Sequence, residues 1–249
     1  MFRVAPFILS LVLLLGSLVP STAHAAEQPR TCIAPAAQAS DPAAFDCSDK
    51  QLAHGPGDFV AKLVFSPRAL SPANPLVLRF AAIWQDGGQI TFRYADGSLR
   101  GADYNAASAA RHLSPGGVLE FPVPHSPAKL IEVLVSVEGS ANYRGVLLGA
   151  ELIPASSADS INHTRLAAYA AFGGLVVALL VFNFSLWISL RHGFQLRYCA
   201  MVAAVAVYAA SASGLLMQLV PGIDGNDRLR INIVMLALFG VSALYFVRS

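Results

Sequence analysis

Two hydrophobic rhythms divide this chain. Between Asp58 and Pro154 apolar residues alternate with their neighbours: Phe59, Ala61, Leu63 and Phe65 interleave with Val60, Lys62 and Val64. Leu76, Leu78 and Phe80 interleave with Val77, Arg79 and Ala81, and Ile90, Phe92 and Tyr94 with Thr91, Arg93 and Ala95. A period of two sends each set to one face of an extended segment, so these runs predict half-buried strands. Val118 to Val123, Leu130 to Val137 and Val146 to Ile153 continue the series, and Ser66-Pro67, Ser71-Pro72, Asp86-Gly87-Gly88, Asp96-Gly97, Ser114-Pro115-Gly116-Gly117 and Glu138-Gly139 supply turns between them. Then the alternation stops. Leu166 to Leu190, Tyr198 to Val220 and Ile231 to Val247 are apolar stretches without a charged residue. Each is near the roughly 20 residues that an α-helix needs to cross a hydrocarbon core.

The pattern predicts an all-β antiparallel sandwich or jelly roll over residues 58–155, then an α-helical transmembrane bundle. The expected order is a linker over 156–165, spans over 166–190, 198–220 and 231–247, loops over 191–197 and 221–230, and an end at 248–249.

The N-terminus carries Arg3, an apolar run from Phe7 to Val19, Pro20, and then Ala23-His24-Ala25. That order reads as a secretory signal peptide over residues 1–25; an uncleaved anchor helix is the other reading, against which the short core and Pro20 both count. Residues 26–57 then form an exported segment with Cys32 and Cys47. In an oxidising compartment the two thiols can pair and close a short loop, and the alternative is two free thiols. Cys199, at the start of the second span, reads as a small buried or lipid-facing residue.

Composition fits this division, with 55% hydrophobic and 13% charged residues. Between Glu27 and Arg165 there are 13 acidic and 11 basic residues, and from Leu166 onward five arginines face two aspartates. Neither part is basic enough to suggest nucleic acid. The stretch Arg191 to Arg197 carries two arginines and no acid, whereas Asp224 and Asp227 balance Arg228 and Arg230. The positive-inside rule puts the first of these loops in the cytoplasm, the second outside, and Arg248 inside. A multi-pass membrane protein with its N-terminal domain outside the cytoplasm is the expected arrangement.

Candidate chemistry in the sandwich is sparse. His54, His112 and His125 lie among loop-like residues without metal-ligand spacing, and no nucleophile elbow or phosphate loop occurs. No enzyme, metal or cofactor is expected in these residues. Aromatic side chains are the hint of binding: Trp84, Phe92, Tyr94, Tyr104 and Tyr143. Phe92 and Tyr94 share a strand face with Ile90 and read as core. Trp84 and Tyr104 flank turn-like segments, where packing and ligand stacking are both open. Arg79, Arg93, Asp103 and Asn105 could direct hydrogen bonds to such a ligand. In the spans, Gly174 and Ala178, and Ala206, Ala210 and Gly214, recur at helical spacing and predict close helix approach, and Asn183 predicts an interhelical hydrogen bond. Partners for those faces would be further helices or a second protomer, with the lipid bilayer around them.

Gly173-Gly174, Phe182-Asn183, Arg191-His192, Phe194 and Tyr198, behind a signal peptide and a small β-domain, resemble the bacterial seven-transmembrane receptors with diverse intracellular signalling modules (7TMR-DISM). Three positions depart from the pattern: Phe182 stands for a tyrosine, His192 for an acid, and Arg197 interrupts the tyrosines. The resemblance implies a bacterial inner membrane protein with a periplasmic, jelly-roll-like domain similar to carbohydrate-binding modules, four more helices beyond Ser249, and a cytoplasmic output such as a diguanylate cyclase, a histidine kinase or a phosphatase. The expected function is a signal receptor whose β-domain senses a small extracytoplasmic ligand such as a carbohydrate. The alternative is a membrane-tethered glycan-binding or adhesion module. A transporter fits less well, because the spans lack ionisable residues at mid-depth.

Overall fold

The computed structural model describes residues 28–48, 50–81, 84–141, 145–223 and 225–247, and among these the side chains of 225 and 226 are left aside. The expected signal peptide, Tyr143, Asp224 and Arg248 lie outside the described residues. Strands β1 (Arg30–Pro35), β2 (Gly57–Arg68), β3 (Leu76–Ala81), β4 (Gly87–Tyr94), β5 (Leu99–Asn105), β6 (Leu113–Ser114), β7 (Val118–Pro122), β8 (Leu130–Ser140) and β9 (Leu148–Pro154) come first. A short helix α1 (Ala106–Ala109) interrupts them, and α2 (Ala155–Leu190), α3 (Gly193–Ala212), α4 (Leu215–Leu219) and α5 (Gly225–Val247) follow.

The strands form two antiparallel sheets among the described residues, one of order β1-β2-β8-β4-β5 and one of order β6-β7-β3-β9. Period-two patterning decides which side chains meet between them. Phe59, Ala61 and Leu63 from β2, Ile90, Phe92 and Tyr94 from β4, and Val133, Val135 and Val137 from β8 face Leu78, Phe80, Leu119, Phe121 and Leu152 of the other sheet, all buried. Phe80 stacks on Phe121 with ring centroids 5.8 Å apart. The Tyr94 hydroxyl, buried with its ring, donates to the carbonyl of Pro124.

The segment read as a separate Cys-containing region adds β1 to the edge of the five-stranded sheet, in register with β2 through Cys32↔Lys62. The chain then turns through two short 3₁₀ segments, the second capped by Asp41 accepting from the Ala43 N–H at 2.9 Å, and returns to β1. It is held there by backbone bonds between Ile33 and Asp46, 2.8 Å in each direction, and by a Cys32–Cys47 disulfide. Closing a loop of 15 positions is worth about 3 kcal/mol by chain-entropy reckoning.

Helix boundaries differ from those expected. The stretch 156–165 is not a linker but the opening of α2, whose 36 residues run without interruption from the last strand. The loop after α2 is only Arg191 and His192, because α3 begins at Gly193. The second span ends at Ala212 and not at 220. Gly214 sits there in the left-handed region at φ +83°, and a Cβ on it would lie 2.6 Å from a Leu113 methyl, so the chain breaks and restarts as α4. The third helix starts at Gly225, six residues before the expected 231.

Three of these helices, Ala155–Leu190, Gly193–Ala212 and a part of α5 from Asp227 to Val247, are long and apolar enough to cross a membrane. Helix α3 packs against both α2 and α5. At the end away from the sandwich Arg197 donates to the Tyr245 carbonyl at 3.3 Å, placing a cation on the last turn of α5, where the helix dipole favours it.

Candidate functional site

The sandwich does not hang free of the helices. Its four-stranded sheet turns its outer face to them, and the contact begins with a charged row. Arg79 on β3 is paired in register with Glu120 on β7 and Glu151 on β9, so the three side chains stand side by side across adjacent strands. Arg79 Nε lies 2.7 Å from Glu120 and Nη1 3.2 Å from Glu151. Asn162, two turns into α2, closes the row from above: its Oδ1 accepts from Arg79 Nη2 at 3.2 Å and its amide donates to Glu120 at 3.0 Å. The Asn162 amide also reaches the Ser114 hydroxyl at 3.3 Å. Arg79 is left 1% exposed. A planar guanidinium with five donors suits such a site, since it engages two carboxylates and an amide at once.

A second contact lies at the β3–β4 turn. Trp84 covers the guanidinium of Arg228, 5.5 Å from the ring centroid, in the first turns of α5. Arg228 is fully buried, with Nη1 3.0 Å from the Met217 sulfur, and its carbonyl lies 3.5 Å from the Ser211 hydroxyl of α3. Met217 of α4 belongs to the sandwich's own hydrophobic cluster, against which Trp84 and Ile223 also pack. Gln218 donates to the Leu113 carbonyl at 3.0 Å. The loop between α3 and α5 therefore docks into the base of the sandwich.

This arrangement corrects several sequence expectations. Arg79 is no ligand contact; it is spent on Glu120, Glu151 and Asn162. Tyr104 is a core residue, 5% exposed, tilted on Phe121 at 5.2 Å, with its hydroxyl bonded to Gln85. Burial pushes that hydroxyl's pKa well above its usual value. Trp84, half-buried, lies against Arg228 of α5. His112 stacks on Phe121 at 4.5 Å. Asn105 caps α1 by accepting from the Ser108 N–H at 2.9 Å. Among the helices, Gly174 and Ala178 are exposed, with no neighbouring atom within 4 Å of a Cβ built at Gly174. The Asn183 amide donates to the Leu179 carbonyl of its own helix at 2.8 Å, and among the described residues it makes no interhelical bond. Ala206 and Ala210 line a groove of about 290 Å³ with Gly173 and Val177 of α2, whereas Gly214 breaks the helix and packs on Leu113 of the sandwich.

Arg93 and Asp103 remain on the outer face of the five-stranded sheet. Its rows read Arg93–Glu132–Val64, Thr91–Leu134–Lys62–Cys32 and Asp103–Gln89–Ser136 across neighbouring strands. Asp103 accepts from Gln89 at 2.7 Å. Glu132 joins two cations, Lys62 at 3.1 Å and Arg93 at 3.7 Å. Gly88, in phase with the inward-facing Ile90 of the same strand, leaves room for the Ser136 carbonyl and the Tyr104 hydroxyl, which a Cβ there would strike. The described residues include no group of three or more His, Cys, Asp or Glu side chains able to hold a metal ion.

Sequence reasoning missed Glu120, Glu151, Asn162, Met217 and Arg228. A signal existed for two: Glu120 and Glu151 stand in the polar phase of their strands, as Arg79 does in β3, but nothing in one sequence says that those strands are neighbours.

No curated protein matches the chain. Residues 165–249 match the family model described as 7TM diverse intracellular signalling. The matched stretch begins in the first third of α2 and is similar to the seven-transmembrane receptors with diverse intracellular signalling modules that the sequence resembles.

Proposed function

We propose that this chain is the sensing and first relay part of a membrane signal receptor. Its sandwich lies outside the cytoplasm, binds a small ligand, and alters the packing of the helices beneath it, whose further partners carry the signal to a cytoplasmic output. The observation that carries this reading is the double seat of the sandwich on the helices, Arg79 to Asn162 on α2 and Trp84 to Arg228 on α5. A tethered binding module needs one anchor helix and no such seat. The two contacts reach different helices, so any shift of the sandwich changes the position of α2 relative to α5. A ligand biases such an equilibrium only by its different affinity for the two packings. Strands that alternate between the two sheets, β2, β3, β4 and then β7, β8, β9, support a jelly-roll-like reading of the sensor. The arginines of the short α2–α3 loop and the arginine capping α5 support placing that end in the cytoplasm.

Trp84→Ala tests the relay. Removing the indole takes away a desolvated cation–π contact, about 2 kcal/mol, and opens space beside Arg228. Amide exchange in the first two turns of α5 should quicken, while the central strands β4 and β8 stay protected. Unchanged exchange in α5 means that sandwich and helices are mechanically independent, and the tether reading then replaces this one.

A further inference from the structure

The two seats use only one face of the sandwich. Helix contacts come from the four-stranded sheet, from the turn before β6 and from the β3–β4 turn, and the outer face of the five-stranded sheet is left without an α-helix above it among the described residues. That face holds a depression of about 320 Å³. Its floor is Leu134 on β8, with Lys62, Arg93 and Glu132 around it, and its wall is the loop that the Cys32–Cys47 disulfide holds over the sheet edge, bringing Pro42 and Phe45 into the lining.

We propose that this depression is the ligand site, and that it takes a small organic anion: a carboxylate on an apolar body. The inference rests on the receptor reading for its purpose but on this site's own chemistry for its content. Two cations share one carboxylate here. Glu132 is the more covered partner, its side chain 13% exposed, against 36% for Lys62 and 44% for Arg93. It acts as an anchor that holds both cations beside the cavity and leaves one positive charge in surplus. Arg93 Nη1 is 3.7 Å from Glu132, longer than a good hydrogen bond, so its fork keeps donors for a second carboxylate. Leu134, Pro42 and Phe45 give the apolar body a surface to cover, and the stapled loop fixes that wall before the ligand arrives, which lowers the ordering cost of binding. A neutral sugar lacks the charge this site selects. Two of the aromatic residues the sequence offers for stacking lie away from this site, Tyr104 in the core and Trp84 on Arg228.

The test uses the full chain in detergent micelles, with benzoate and phenylacetate as probes and benzamide and phenylacetamide as their neutral counterparts, read by ligand-observed NMR and calorimetry. Saturable binding of the carboxylates and none of the amides is expected. Arg93→Gln should weaken that binding about tenfold through loss of a charge-assisted pair. Glu132→Gln should tighten it about threefold, because a competing carboxylate is gone. No saturable binding by either carboxylate, equal binding of the amides, or binding unmoved by Arg93→Gln combined with Lys62→Gln overturns the proposal. The readout is separate from that of the relay: a failure here leaves the Trp84 result standing, and a rigid α5 in Trp84→Ala leaves this site standing.

Discussion

The two outer faces of the sandwich carry nearly the same chemistry and do different work with it. On the four-stranded sheet one arginine stands between two glutamates; on the five-stranded sheet one glutamate stands between an arginine and a lysine. The difference is cover. Helix α2 lies over the first row and adds Asn162, so Arg79 loses its water and must be satisfied by fixed partners. Among the described residues no α-helix covers the second, and its cations stay half in solvent. A charged row under a helix becomes a latch, since any slip strands a charge in a poorly polar place. The same kind of row in the open costs little to rearrange, which is what a binding surface requires.

The sharpest way to break this contrast is Arg79→Leu. The substitution leaves Glu120 and Glu151 on either side of β3 with no cation between them and deprives Asn162 of a partner. Removing one member of a buried pair costs about 3 to 5 kcal/mol, and the partial exposure of both glutamates places this case near about 3. Pulse proteolysis across a urea series should show the loss, with Arg79→Lys falling between because it restores charge without the fork. A loss below about 1 kcal/mol would mean that the latch is ornamental and that cover does not separate the two faces.

The second seat depends on the break at Gly214, after which α4 puts Met217 into the sandwich's hydrophobic cluster. Gly214→Ala puts a methyl against Leu113 in a left-handed backbone position. The expected cost is about 1 to 2 kcal/mol, since both the strain of the backbone and the contact with a movable leucine end contribute. Its mark is local: thermal unfolding should shift while the open face still accepts its probes. If probe binding falls along with stability, the two faces are not independent.

How far the sequence could be read follows from which forces act locally. Strand alternation placed Phe92 and Tyr94 in the core, because period two is written into each strand by itself. Hydropathy located the apolar helices but not their ends, since it detects the edge of a lipid-compatible stretch and not the edge of a hydrogen-bonded one. Helix α2 runs on through Asn162, His163 and Arg165, all compatible with a helix and none apolar. In the opposite direction, Met217 reads as a membrane residue because burial in a protein core asks for the same side chains as burial in lipid. The site was less legible still. Arg79 meets Glu151 across 72 positions of chain, and that pairing depends on a strand order that no local pattern encodes. Trp84 and Tyr104 were ambiguous for the same reason: an aromatic beside a turn packs or binds according to what the rest of the fold brings to it.

The smallest expected effect is the most discriminating. Arg93→Gln removes an ion pair whose arginine is 44% exposed and whose nitrogen is 3.7 Å from its partner. Pairs of this kind contribute about 0 to 1 kcal/mol, less in salt, and Glu132 keeps Lys62 as a second cation at 3.1 Å. Urea midpoints of the variant and the parent chain should therefore coincide within about 0.5 kcal/mol at physiological salt, even though carboxylate binding falls. A loss comparable to that of Arg79→Leu would place both rows in the framework of the fold and take the open face out of consideration as a binding surface. Coincident midpoints with weakened binding would assign the two arginines, on strands that differ only in what lies above them, to opposite tasks.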